Sequence, residues 1–348
     1  MTAIEVKVQA VLAILLSTIV SVPAIADQSA DREKLEAFFA KPLVTFREDR
    51  TPNGFRIIAL SQLAEYCGRR GHEPCLRRTA EIALDPRVSP YGAKDLRQTE
   101  LGDHGLYLAH LAIVLTEFRQ RLDDKKYDEA LHRIAKHLKD ATTAAPHHHI
   151  ASYPQNKARY PADQAAVLYA LHRYDGLFQT EFSPALIRVW LSYMAGQGAS
   201  LDGLHRSEIA DVKPWSQLAR GSALSFTIAY MSAFAPKEAR VLWDRYVKRH
   251  EMSAWLLAGF REWPMGVDRP ADIDSGPIVM GVGVAATAFA IAASQAVGDI
   301  DRHQRLVRTM NAVYRAGGDE ALKVGRTVLS RAIALNGTAA TTAAAAAF

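Results

Sequence analysis

GPIVMGVGVAATAFAIAASQAVG, residues 276–298, contains no charged residue and is built largely from Gly, Ala and Val. Small side chains let helix backbones approach closely, so the stretch reads as a helix packed on every side. Three other segments are uncharged in the same way: His104–Thr116, Ala165–Leu171 and Gly221–Pro236. Between them stand amphipathic helices charged on one face, KKYDEALHRIAKHLKDA (125–141), PKEARVLWDRYVKRHE (236–251) and DRHQRLVRTMNAVYRA (301–316). Buried and surface helices alternate. A transmembrane span is the competing reading of 275–298, which is long enough to cross a bilayer. The Gly-Pro start, the glycines at 281 and 283 and the similar segments elsewhere favour burial in protein.

The uncharged helices start near Asp103, Asp163, Ser222 and Asp274, at spacings of 60, 59 and 52 residues. One step back reaches Asn53-Gly54, followed by FRIIALSQLAEYC, and one step forward reaches Leu329, followed by SRAIALNGTAA. The period suits one helical hairpin with a generous loop, and six hairpins make an (α/α)6 toroid. An open α-solenoid of unequal repeats is the alternative. LDGLHRSEI (201–209) and FREWPMGVD (260–268) each follow an outer helix and precede an inner one. They read as short β-hairpin-like loops at one end of the ring.

Residues 1–26 read as a secretory signal, with Lys7, an apolar run from Val11 to Val20 and a small-x-small site at Ala24-Ile25-Ala26. Cleavage after Ala26 predicts a secreted, periplasmic chain; an uncleaved anchor is the alternative. A single domain is expected over 27–335, followed by a low-complexity Ala/Thr tail over 336–348. The two cysteines, Cys67 and Cys75, fit a disulfide in an oxidising compartment, with a reduced pair or a metal site using His72 as the alternatives. The net charge of +5 and pI near 9.1 come from dispersed basic residues. No nucleic-acid motif accompanies them, and the dispersed charge gives only weak support for acidic glycans or a membrane surface as partners. Walker, GxSxG and HExxH patterns are missing, so no nucleotide partner and no cofactor are expected. His147, His148 and His149 stand side by side in a loop, an arrangement better suited to a solvated linker than to a metal site.

RYPADQ (159–164) starts an inner helix with Pro161 and Asp163, where a carboxylate favours the positive helix end. Capping alone explains one such residue. Recurrence argues for more: ELGDHGLYLAH places Asp103 at one start, LARGSAL places Arg220 at another, and ADIDSGP places Asp272 and Asp274 at a third. With all starts at one end, these groups converge. Asp103, Tyr107 and His110 share a helix face at i, i+4 and i+7, as a pocket wall or as a buried network in which Tyr107 and His110 satisfy each other. Paired carboxylates divide acid and base labour in glycosidic cleavage, with Asp103, Asp163, Asp274 and Glu208 as the candidates. Arg220 suits a carboxylate or developing negative charge. Tyr153, Tyr160, Trp215 and Trp263 offer flat faces to sugar rings.

The hairpin period, the Gly/Ala-rich inner helices and the polar starts YPADQ and DIDSGP together resemble the (α/α)6-toroid proteins. These include glycoside hydrolases, polysaccharide lyases and the linalool dehydratase/isomerase type. No one family's catalytic motif is complete, so the resemblance implies architecture and assigns no residue roles. Three functions follow as expectations. One is an exported carbohydrate-active enzyme, hydrolase or lyase, acting on an oligo- or polysaccharide. Another is a dehydratase or isomerase of a small hydrophobic alcohol or terpenoid, in a pocket lined by Met194, Phe226, Met231 and Phe289. The third is a non-catalytic toroid binding a glycan or a protein.

Overall fold

Uncharged and amphipathic helices alternate along the chain, and the alternation becomes inside and outside. The computed structural model describes residues 54–155, 157–209, 217–254, 257–267, 269–271, 275–276, 278–279 and 281–316. The expected signal, the sixth hairpin near Leu329, the Ala/Thr tail, Trp215, Asp272 and Asp274 lie outside them. Among the described residues, α1 (Gly54–Arg69) and α2 (Glu73–Leu84) form a first hairpin. Helices α3 (Gly105–Leu122) and α4 (Asp128–Ala144), then α5 (Pro161–Phe178) and α6 (Ser183–Ala195), form two more. They are followed by α7 (Gly221–Phe234) and α8 (Pro236–His250), and by α9 (Val284–Ala296) and α10 (Ile300–Ala316).

Helix α1 packs on α3, α3 on α5, α5 on α7 and α7 on α9, a row of five inner helices. Every residue of α3 from Gly105 to Phe118 is buried. By contrast α4 buries only Leu131, Ile134, Ala135, Leu138 and Thr142, a single stripe at helical spacing. That stripe seats α4 against α3 and α5. Each fully buried Leu or Ile stabilises the helical assembly by roughly 1.5–3 kcal/mol. The inner row curves so that its side chains meet: Gln62 Nε2 of α1 donates to Tyr230 Oη of α7 at 2.9 Å, and Phe226 of α7 meets Phe289 of α9 edge-on at 5.1 Å.

Local chemistry sets the helix ends. Pro161 occupies the first turn of α5, and prolines likewise open α6 and α8. Helices α3 and α5 stop at left-handed Asp123 and Gln179. The α5–α6 turn is gathered by one carboxylate: Asp175 accepts from Thr180 Oγ1, Phe182 N, Ser183 N and Ser183 Oγ at 2.6–2.9 Å. Cys67 and Cys75 form a buried disulfide that closes the α1–α2 connection, with Cα atoms 5.9 Å apart.

The starts of the inner helices do share one end. Gly105 N of α3 donates to Ala151 O at 3.0 Å, and Ile150 N donates to Gln164 Oε1 of α5 at 3.0 Å. From there backbone bonds run Ser152 to Ala158, Ile209 to Arg159 and Ser207 to Leu218, and Gly221 N of α7 reaches Glu262 O at 2.8 Å. A bridge from Arg261 to Val282 carries the rim to α9.

Two expectations about this rim need correction. The charge-free stretch 275–298 is not helical throughout, because β3 (Ile278–Val279) and β4 (Val282–Gly283) pair antiparallel before α9 starts at Val284. Positive φ at Gly276 and Gly281 turns the chain there. The two expected hairpins are also displaced. LDGLHRSEI contributes only one bridge, Ala199 to His205, while the ribbon near FREWPMGVD joins β1 (Glu251–Ala254) to β2 (Leu257–Phe260), ahead of the Trp263 turn.

Candidate functional site

Leu96 O accepts from Arg133 Nη1 of α4 at 2.8 Å, and Gly102 O accepts from His137 Nε2 at 3.0 Å. These bonds hold the loop between α2 and α3 against the bundle. The loop folds around Tyr91, whose hydroxyl donates to Leu101 O at 2.6 Å. A cleft of 560 Å³ opens there, lined by residues that include Tyr91, Lys94, Glu100, Asp103, His104 and Pro154. Its size falls within the range of small-molecule sites. Asp103 and His104 precede α3, with His104 as its N-cap residue. The His104 ring stands edge-on to Tyr91 at 5.0 Å. Burial lowers the His104 pKa against the raising field of Asp103, so the imidazole is neutral near pH 7 and able to accept a proton. Asp103 is about half exposed and stands 3.7 Å from Lys157 Nζ.

A second polar group stands where α7 begins. Arg220 is the residue before α7, and its Nε donates to Glu262 Oε1 at 2.8 Å. Glu262 also accepts from Ser222 Oγ at 2.8 Å and Ser222 N at 3.1 Å. The carboxylate therefore caps the first turn of α7 from outside the helix. Burial raises the Glu262 carboxyl above the ordinary carboxylate range, against the opposing pull of Arg220 and Ser222. The Arg220 guanidinium lies 5.1 Å from the Trp263 ring centre and that of Arg269 lies 5.3 Å from it. Indole and guanidinium surfaces thus order each other at the rim.

Below the rim the shared interior is polar in places. Ser61 Oγ donates to Ile58 O, so its 2.7 Å contact with His110 Nδ1 requires that nitrogen to carry the proton. His110 Nε2 is then an acceptor, buried, with no hydrogen-bond partner among the described residues. Burial pushes the His110 pKa down to about 3. Nearer the far end, Arg173 of α5 bonds Glu117 at 2.6 Å and lies 3.8 Å from Glu65, which accepts from Tyr169 Oη at 2.6 Å. One guanidinium so ties α1, α3 and α5 together.

The expected site residues divide accordingly. Asp103, Asp163, Tyr160, Arg220 and Trp263 all belong to the rim, with Asp163 half-buried in the first turn of α5 and Tyr160 preceding it. Glu208 is half-buried in the loop before α7. Asp274 and Trp215 fall outside the described residues. Tyr107 and His110 do not form a shared wall with Asp103, nor do they satisfy each other. Tyr107 Oη donates to Ala83 O of α2 at 2.8 Å, whereas His110 addresses Ser61, Phe226 and Tyr230. Tyr153 packs partly buried against the core.

The histidine run is not a solvated linker. His149 is fully buried, donating from Nδ1 to His147 O at 2.8 Å and accepting from Trp190 Nε1 at 3.0 Å, while His147 stacks on Tyr193 at 4.8 Å. Among the described residues no three His, Cys, Asp or Glu side chains gather to hold a metal ion. Met194, Phe226, Met231 and Phe289 are buried core residues. Sequence reasoning missed Glu262 and Arg173. Neither carries a local signal, because Glu262 stands next to Arg261 in GFREWPM and Arg173 stands between His172 and Asp175 in YALHRYDG, and each finds its partner on a segment distant in sequence. No protein-family model matches the chain, and no curated protein matches it either.

Proposed function

We propose that the chain is an exported carbohydrate-active enzyme, hydrolase or lyase, whose acid/base site is the rim cleft at the start of α3. The observation that carries this reading is the cleft itself, in which a neutral imidazole, His104, adjoins the Asp103 and Glu100 carboxylates beside an aromatic ring, Tyr91. His104 takes a proton from the attacking water or from the sugar carbon, and the imidazolium so formed, favoured by the Asp103 charge, returns that proton to the departing oxygen as its bond to carbon breaks. Tyr91 and the prolines give the sugar an apolar face. Arg220, ordered by Glu262 and Trp263 at the same end, suits a negatively charged substituent. The curved row of five hairpins among the described residues supports an (α/α)6 toroid as the architecture that carries the site.

The test is turnover of a panel of neutral and acidic polysaccharides, reading new reducing ends for hydrolysis and ultraviolet absorbance of unsaturated ends for elimination. His104→Gln and Asp103→Asn should each lower turnover by about 10²-fold or more. Turnover unaffected by both variants would remove the cleft from the reaction. A second reading, a glycan-binding protein without turnover, draws on the exposure of Asp103 and its pairing with Lys157. It predicts saturable binding that both variants weaken, with no product formed.

A further inference from the structure

Two large apolar side chains stand out in water on the rim. Leu201 is fully exposed at the tip of the turn after α6, and Met265 is 66% exposed at the tip of the turn after Trp263. They belong to the same patch. Arg245 Nη1 of α8 donates to Gly203 O at 3.0 Å, and Arg249 Nε lies 3.9 Å from Asp202 Oδ2. Met265 N in turn donates to Arg249 O at 3.4 Å. The last turn of α8 therefore holds both tips.

That turn is basic, with exposed Lys248 and Arg249, and Arg245 is exposed one turn earlier. Arg261 adds a cation beside Met252, itself 36% exposed. Nearby acids are largely engaged: Asp202 by Ser200 and Arg249, Asp244 by Arg240, and Glu251 by Arg302 and Arg305. Apolar tips surrounded by cations match the headgroup boundary of an anionic bilayer, where acyl chains receive the tips and phosphates face the arginines. No helix among the described residues is long and apolar enough to cross a membrane.

We propose that this patch docks the protein reversibly on an anionic lipid surface, with Leu201 and Met265 inserted and Lys248, Arg249 and Arg245 on the phosphates. The rim that holds the cleft then faces the membrane. This docking does not depend on the cleft being catalytic. The experiment is co-sedimentation of the full chain with vesicles of mixed phosphatidylglycerol and phosphatidylcholine, and with phosphatidylcholine alone.

Binding is expected to the anionic vesicles only and to weaken as salt is raised. The double variant Leu201→Asp/Met265→Asp, which alters only exposed side chains, should reduce partitioning roughly tenfold or more. Lys248→Gln/Arg249→Gln should reduce it by about fivefold for each charge removed. Absence of wild-type binding to the anionic vesicles would overturn the proposal. So would binding that survives the aspartate pair undiminished and is displaced by dextran sulfate, since that would mark a general polyanion surface.

Discussion

Glu262 shows what one side chain can organise. Its carboxylate receives a guanidinium, a hydroxyl and a backbone N–H, and in doing so it caps α7, orients Arg220 and anchors the Trp263 turn. The side chain is fully buried and that of Arg220 is only 14% exposed, so solvent cannot replace the bonds if the acid is removed. Deleting one partner of such a pair strands the other and typically costs about 3–5 kcal/mol. Glu262→Ala should lower the unfolding free energy read from urea denaturation by an amount of that order, and the midpoint with it, with Glu262→Gln intermediate because it retains an acceptor for Ser222. An unchanged midpoint in the alanine variant would show that Arg220 finds its ordering elsewhere.

At the scale of the element, the tightest approach in the rim is Gly221. A Cβ built there would lie 2.1 Å from Arg261 O and 2.9 Å from Ala286 Cβ. The first turn of α7 thus passes directly between the Glu262 segment and α9, and only a residue without a side chain fits. Gly221→Ala should push α7 off both neighbours and destabilise the fold by about 1–3 kcal/mol or more, despite alanine's better helix propensity. Thermal melting measures it, and a variant as stable as the wild type would mean the rim yields at that point. The helices themselves were legible in the sequence. Burial on all sides excludes charge and burial on one side imposes a stripe, so the inner and outer classes separate without knowledge of packing. Their boundaries were less so. The start of α9 depends on left-handed turns at Gly276 and Gly281, and glycine in an apolar run signals either close packing or a turn.

For the whole molecule, chain order alone places the starts of the inner helices at one end, which is why Asp103, Asp163 and Arg220 were legible as rim residues. Their partners were not. Arg220 meets Glu262 across 42 residues, and Arg173 meets Glu117 across 56, because the helices are neighbours in the row. The buried histidines have the same origin, and they make stability depend on pH. His110 within α3, His149 after α4 and His250 at the end of α8 are fully buried, and burial holds their pKa values down to about 3, 4 and 4. A histidine whose folded pKa lies below its unfolded value of about 6.5 contributes stability above that value and loses it as pH falls toward the folded pKa. At about pH 5 each would forfeit on the order of 2 kcal/mol, at about 1.36 kcal/mol per unit. The urea midpoint should therefore be flat near neutrality and fall between about pH 6.5 and 4. Substituting His149 with Gln should lower the neutral midpoint, through the lost Trp190 bond, while making the acid slope shallower by one proton. A wild-type midpoint that stays level down to about pH 4 would mean that water reaches these imidazoles in solution.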